Sequence, residues 1–122
     1  MREQLRAWMR GGNVVPLRGA EELEELFAAS WREPVVLFLH DPYCPVSALA
    51  RLRLRQYRGR LHLVDVSRQQ DLSRRIEELT GVRHESPQAL VLWRGEAVWH
   101  ASHGAVGAED VGRAVEGARG GG

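Results

Sequence analysis

The stretch Val35-Val36-Leu37-Phe38-Leu39-His40-Asp41-Pro42-Tyr43-Cys44-Pro45-Val46-Ser47 changes character halfway along. Its first six residues are a nearly continuous apolar run, the pattern of a strand covered on both faces of a sheet. Asp41 to Cys44 reads as a loop. Pro45 then suits the first turn of a helix, where its missing N–H costs nothing. From there Val46, Leu49, Ala50, Leu54 and Tyr57 fall on one helical face, and Gly59 ends the helix. The single cysteine of the chain stands at the junction of loop and helix.

Working outward, Ala20 to Trp31 places Leu23, Leu26 and Phe27 at helical spacing with glutamates toward water, and Pro34 cannot continue that helix. Downstream, Leu61 to Val66 reads as a second strand. Asp71 to Thr80 reads as a helix with Leu72, Ile76 and Leu79 inward and Gly81 as its C-terminal cap. Gln88 to Trp93 and Ala97 to Ser102 form a hairpin through Arg94-Gly95-Glu96, and Ala108 to Ala118 is a final helix. The first strand–helix–strand crossover is expected to be parallel and right-handed. The order matches a thioredoxin-like three-layer α/β fold: a mixed central sheet with two parallel strands and a closing antiparallel hairpin, plus an N-terminal helix. Residues 1–16 are read as an accessory segment, in which Leu5, Trp8 and Met9 form one side of a short helix. Residues 17–118 are the domain and 119–122 a flexible tail.

Composition narrows the function. With 122 residues there is room for one core only. Apolar residues at 43% and charged residues at 27% suit a globular protein, not a disordered one. No apolar run approaches the roughly 20 residues of a membrane helix, and Met1 to Arg10 is charged throughout, unlike a secretory signal. A cytoplasmic location without membrane contact is expected. All 17 basic residues are Arg, yet the net charge is only +1, which gives no argument for a nucleic-acid partner. One cysteine excludes an internal disulfide and Cys-rich zinc sites.

The topology brings distant residues to one sheet edge. The first core strand ends at His40, the third begins at Ser86-Pro87, and the fourth ends at Ser102-His103, so Cys44, Pro87 and His103 converge. Cys44 at a helix start faces N–H groups that lack intrahelical partners and the positive end of the dipole, which favour a thiolate. The thiolate is the species that attacks a disulfide sulfur. Ser47 stands where a Cys-x-x-Cys oxidoreductase has its second cysteine. It can donate a hydrogen bond to the thiolate but cannot resolve a mixed disulfide. The site is therefore monothiol, and a second thiol must come from outside. Pro87 is a candidate for a cis bond opposite Cys44.

Other readings of these residues stand beside this one. Cys44 can be inert in a thioredoxin-like module that binds a peptide along the Pro87 edge. Arg51, Arg53, Arg55, Arg58 and Arg60 read as a solvated face, or as an attraction for an acidic partner. Trp93 and Trp99 read as sheet packing. A metal site on His84, His100 and His103 is disfavoured, because positions 100 and 103 point to opposite faces of a strand.

Leu39-His40-Asp41-Pro42-Tyr43-Cys44-Pro45-Val46-Ser47 resembles the monothiol active site of the bacilliredoxin family. Gly81-Val82-Arg83-His84-Glu85-Ser86-Pro87-Gln88 and Ala101-Ser102-His103 resemble two further signatures of the same family. The resemblance covers about residues 17–116. It implies a thiol–disulfide oxidoreductase that removes bacillithiol, a cysteine-containing low-molecular-weight thiol, from mixed disulfides on cytoplasmic proteins. Cys44 would be the nucleophile, with Pro45, Ser47, His40 and Tyr43 supporting it. His84, Glu85, Ser86, Pro87, Ser102 and His103 would form the substrate site. No resident cofactor is implied: bacillithiol is the substrate and the adduct, and an external thiol or reductase regenerates Cys44. The same reaction with a different small thiol is the nearest alternative.

Overall fold

The structure is a computed structural model that describes residues 13–121. The run Val35–His40 is its central strand, and all six residues are buried. In chain order the elements are β1 (Val14–Pro16), α1 (Ala20–Ala29), β2 (Val35–His40), α2 (Pro45–Arg53), β3 (Leu61–Asp65), α3 (Gln70–Thr80), β4 (Gln88–Trp93), β5 (Glu96–Ser102) and α4 (Ala108–Gly120). Short 3₁₀ turns at Leu54–Gln56 and His103–Ala105 follow α2 and β5. The strand order is β1-β3-β2-β4-β5. β1, β3 and β2 run parallel, β4 is antiparallel to β2, and β5 is antiparallel to β4.

Alternation along β2 sends its side chains to two cores. Val35, Leu37 and Leu39 meet Leu23 and Phe27 of α1 and Leu72 and Ile76 of α3. Val36 and Phe38 meet Ala50 and Leu54 at and beyond α2, and Val111 and Val115 of α4. Each face of the sheet is thus covered by two helices. Full burial of a leucine such as Leu37 or Leu23 contributes about 1.5–3 kcal/mol, so both layers are held by transfer of apolar surface.

Turn chemistry fixes the far end. Arg94 (φ 53°) and Gly95 (φ 79°) form a two-residue turn with both centres left-handed, the backbone that matches strand twist in a hairpin. Gly81, at φ 74°, closes α3 in the left-handed conformation expected of it.

The sequence reading differs from the structure at three places. The sheet has three parallel strands where two were expected, because Val14–Pro16 pairs with β3; the accessory segment thus gives its last residues to the sheet. Its expected helix around Leu5, Trp8 and Met9 lies outside the described residues. α4 runs on to Gly120, past the expected start of a tail at 119. The inward face of α2 is Ser47 and Ala50, continued by Leu54, whereas Val46 and Leu49 are exposed. Two apolar faces are interleaved on this helix, and apolarity alone does not say which one turns inward.

Candidate active site

Cys44 is the N-cap of α2, in extended conformation (φ −104°, ψ 122°), with Pro45 as the first helical residue. Its carbonyl accepts the Ala48 N–H at 3.0 Å, which begins the helix ladder. The thiol is half-buried and makes no capping hydrogen bond. The free N–H groups of the first turn are therefore not tied up by it.

Asp41 shapes the loop that presents the thiol. Its carboxylate accepts the Tyr43 N–H at 2.9 Å, its carbonyl accepts the Cys44 N–H at 3.1 Å, and its own N–H donates to Ser47 Oγ at 2.9 Å. This is the local turn that aspartate forms with the backbone two residues on. The Asp41-Pro42 pair carried that signal, although the sequence reading gave Asp41 no place among the site residues. Tyr43 at the loop tip is 80% exposed, and Val46 and Leu49 on α2 are exposed as well.

Ser47 is fully buried, and its hydroxyl is engaged by the Asp41 N–H and by His40 Nδ1 at 2.7 Å. With these partners Ser47 ties the end of β2 to the first turn of α2. His40 is 5% exposed and stacks on Phe38, ring centroids 5.3 Å apart. Burial pushes its pKa down, and the nearby Arg51 charge adds to this against the opposing Asp65 and Asp41. His40 is therefore a neutral strut under the loop at neutral pH.

The other segments arrive as the topology requires. The Ser86–Pro87 peptide bond is cis. Pro87 is buried, and its carbonyl accepts the His103 N–H at 2.9 Å, which joins the start of β4 to the end of β5. His103 holds a left-handed backbone (φ 54°), uncommon outside glycine. Its Nε2 lies 2.7 Å from Glu85 Oε2, with both side chains partly exposed. Arg53 Nη1 donates to Gly104 O at 3.1 Å and ties this turn to α2. Gln88, buried at 2% exposure, donates from Nε2 to Arg83 O at 3.0 Å and lies 3.5 Å from Ser102 Oγ.

His84 and Ser86 stand apart from this network. Among the described residues, His84 Nδ1 and Ser86 Oγ are the buried side-chain polar atoms without a hydrogen-bond partner. The backbone N–H of His84 is held by Glu77 Oε1 at 2.9 Å. No group of three His, Cys, Asp or Glu among the described residues is arranged around a metal position. Arg51, Arg53, Arg55, Arg58 and Arg60 are all exposed. Trp99 packs against the core on the α2–α4 face, while Trp93 carries the Arg94 guanidinium 5.1 Å above its ring.

A half-buried lone thiol at a helix start, with a cis-proline just ahead of the strand that pairs with β2, is the arrangement that the family comparison addresses. The model of the monothiol bacilliredoxin BrxC matches residues 15–111. The chain belongs to the monothiol bacilliredoxin family. Among solved structures it is similar to a putative oxidoreductase with a thioredoxin fold, at 27% identity and a TM-score of 0.76, covering 84% of this chain and 93% of that one. A mutant thioredoxin from Halobacterium salinarum NRC-1 aligns at 19% identity and a TM-score of 0.65, over 87% of this chain and 90% of its own. Thioredoxin f from spinach chloroplast aligns at 17% and 0.65, over 88% and 95%. These last two show the thioredoxin fold. With the family match, the protein is a thiol–disulfide oxidoreductase of the bacilliredoxin type. Among the described residues no helix is long and apolar enough to cross a membrane.

Proposed function

We propose that the protein removes bacillithiol from mixed disulfides on cytoplasmic proteins. The reading is carried by one observation: Cys44 caps α2 with Ser47 where a resolving cysteine would stand, in a chain of the bacilliredoxin family. The Cys44 thiolate attacks the bacillithiol sulfur of the mixed disulfide. The old S–S bond breaks, a new one forms between Cys44 and bacillithiol, and the client sulfur leaves as a thiolate that takes a proton from solvent. Because Ser47 cannot displace the adduct, a second thiol attacks it, frees Cys44 and leaves as the mixed disulfide with bacillithiol. No net oxidant is consumed. Pro45, His40 and Tyr43 support the thiol loop, and Glu85, Ser86, Pro87, Ser102 and His103 line the approach of the substrate.

Intact-mass spectrometry tests this. Reduced protein mixed with a bacillithiol-modified client is expected to gain one bacillithiol as the client loses one. The Cys44→Ser variant is expected to gain none. A folded, reduced wild type that takes no adduct would sink the proposal and favour a binding module with an inert thiol.

A further inference from the structure

The outward face of α2 is apolar. The helix turns Ser47, Ala50 and the following Leu54 into the molecule. At about 100° per residue, the opposite side falls at Leu49 and Leu52. Both are exposed, at 47% and 55%. Of the seven large apolar side chains left exposed among the described residues, four (Tyr43, Val46, Leu49 and Leu52) stand between positions 43 and 52. Apolar residues scattered singly over a surface need no account, whereas a cluster marks a surface that another molecule covers. A helix face that only met water would carry polar residues at 49 and 52.

The charge around these leucines has one sign. From Pro42 to Val64 there are five Arg and no Asp or Glu, in a chain whose net charge is +1, so the remainder of the chain is net negative. Arg51 and Arg53 stand on either side of Leu52, Arg55 follows a turn later, and all three are exposed. Arg53 donates to Gly104 O, while Arg51 and Arg55 are in no ion pair among the described residues. An apolar centre rimmed by arginine is the composition of a protein interface. It fits a partner that sets apolar side chains among carboxylates. A second copy does not fit, because the arginines of both faces would meet with no carboxylate between them. A nucleic acid would satisfy the arginines and leave the leucines without a partner.

The face begins at the thiol. Cys44 caps α2, and Leu52, eight residues on, lies about 12 Å along the helix axis. A disulfide that exchanges with Cys44 brings its sulfur to about 2 Å, so the protein that carries it lies against the start of α2. We infer that the outward face of α2 is the docking surface for the client protein, and that it selects clients whose modified cysteine lies beside an acidic, apolar surface. Leu49 and Leu52 take the client's apolar side chains, and Arg51 and Arg55 take its carboxylates. The inference rests on the proposed exchange at Cys44 and deepens it by naming the class of protein served.

Two synthetic peptides test this. Each carries one cysteine as the bacillithiol mixed disulfide with leucines beside it; glutamates flank the cysteine in one and lysines in the other. The two compete for the reduced protein, and each rate is divided by that of free cysteine on the same peptide. The ratio is then indifferent to the reactivity of either peptide and of Cys44. At low ionic strength the acidic peptide is expected to transfer its adduct about tenfold faster, with the preference shrinking as salt is added. Arg51→Glu with Arg55→Glu is expected to reverse the preference, and Leu52→Ser to slow both peptides several-fold. Arg32→Glu, an equal charge change at an exposed position after α1, is expected to leave the preference intact. Equal rates for the two peptides, a preference that survives the double substitution, or its loss in Arg32→Glu overturns the inference and leaves de-bacillithiolation standing. Concentration-dependent dimerisation that Leu52→Ser abolishes assigns the face to a second copy and also overturns it. If neither peptide transfers its adduct, de-bacillithiolation falls instead. The surface is then read from fluorescence anisotropy of the labelled acidic peptide, with serine in place of its cysteine, on the Cys44→Ser protein. Saturable binding that the double substitution weakens about tenfold upholds the surface, and absence of binding overturns it.

Discussion

At the hairpin end of the sheet Ser30 has every hydrogen-bonding group engaged; at the Cys44 end the Ser86 hydroxyl is buried and has no hydrogen-bond partner among the described residues. Ser30 is fully buried. Its hydroxyl donates to Phe27 O at 2.6 Å and accepts the Gly95 N–H at 2.9 Å, its carbonyl accepts the Arg94 N–H at 2.9 Å, and its own N–H bonds Leu26 O at 3.0 Å. One residue thereby clamps the end of α1 to the turn between β4 and β5, and Trp31 closes over Gly95 so tightly that an added Cβ would lie 3.3 Å from its Nε1. The thiol end keeps two polar atoms in reserve, His84 Nδ1 and Ser86 Oγ, and holds His103 in an uncommon backbone conformation. The fully paired serine lies at the end without the thiol, and the unspent hydrogen-bonding capacity lies at the end that carries it.

The contrast can be broken by measurement. Ser30→Ala strands the Gly95 N–H and removes a donor from Phe27 O, so the free energy of unfolding is expected to fall by about 2 kcal/mol with transfer to Cys44 unchanged. Urea denaturation beside the transfer assay reads both. A parallel loss of transfer would mean that the two ends are not independent. Ser86→Ala should do the opposite on a smaller scale. Deleting a buried hydroxyl without a partner is expected to leave stability unchanged or to raise it by up to about 1 kcal/mol. A loss of more than about 1 kcal/mol would show that the hydroxyl is already spent.

The smallest effect is in pH. Burial lowers the pKa of His40, and it lowers that of His62 on β3 as well, with Arg60 adding to the latter. The unfolded chain, with histidine near 6.5, therefore binds more protons than the folded one as pH drops below that value. Stability is full above about pH 6.5 and declines as pH falls toward the depressed folded values. The depressed Glu22, held down by Arg18, acts only lower down, below the ordinary glutamate value of 4.5. The urea midpoint should be lower at pH 5.5 than at pH 7.5, and His40→Gln should narrow the gap. An unchanged midpoint would show that His40 is not held neutral by its surroundings.

Much of this was legible in the residues, and the exceptions share a cause. β2 announces itself because six consecutive buried positions need six apolar or nearly apolar residues. The hairpin is legible because Gly95 supplies a left-handed centre, and α3 because Leu72 and Ile76 repeat at helical spacing before Gly81. That Pro87 and His103 meet followed from strand direction alone. The inward face of α2 was legible in Ala50 and Leu54 but not in Val46 and Leu49, which are exposed, because a residue that orients the helix is polar: Ser47 turns inward to meet His40. β1 left too little signal, three residues ending in proline.

β1 has a consequence for how the protein survives at high concentration. Leu17 donates its N–H to Leu63 O, so by strand alternation the nitrogen of residue 16 faces away from β3, toward the open side of the sheet. That residue is proline, which has no hydrogen to offer. A sheet edge is where a neighbouring chain adds a strand and begins an aggregate, and here, among the described residues, the edge strand is three residues long and one of its two outward nitrogens, that of Pro16, has no hydrogen to donate. The opposite edge, β5, faces a register irregularity at Val91/Leu92 that disturbs regular pairing. The sheet therefore offers a neighbouring chain little to template on.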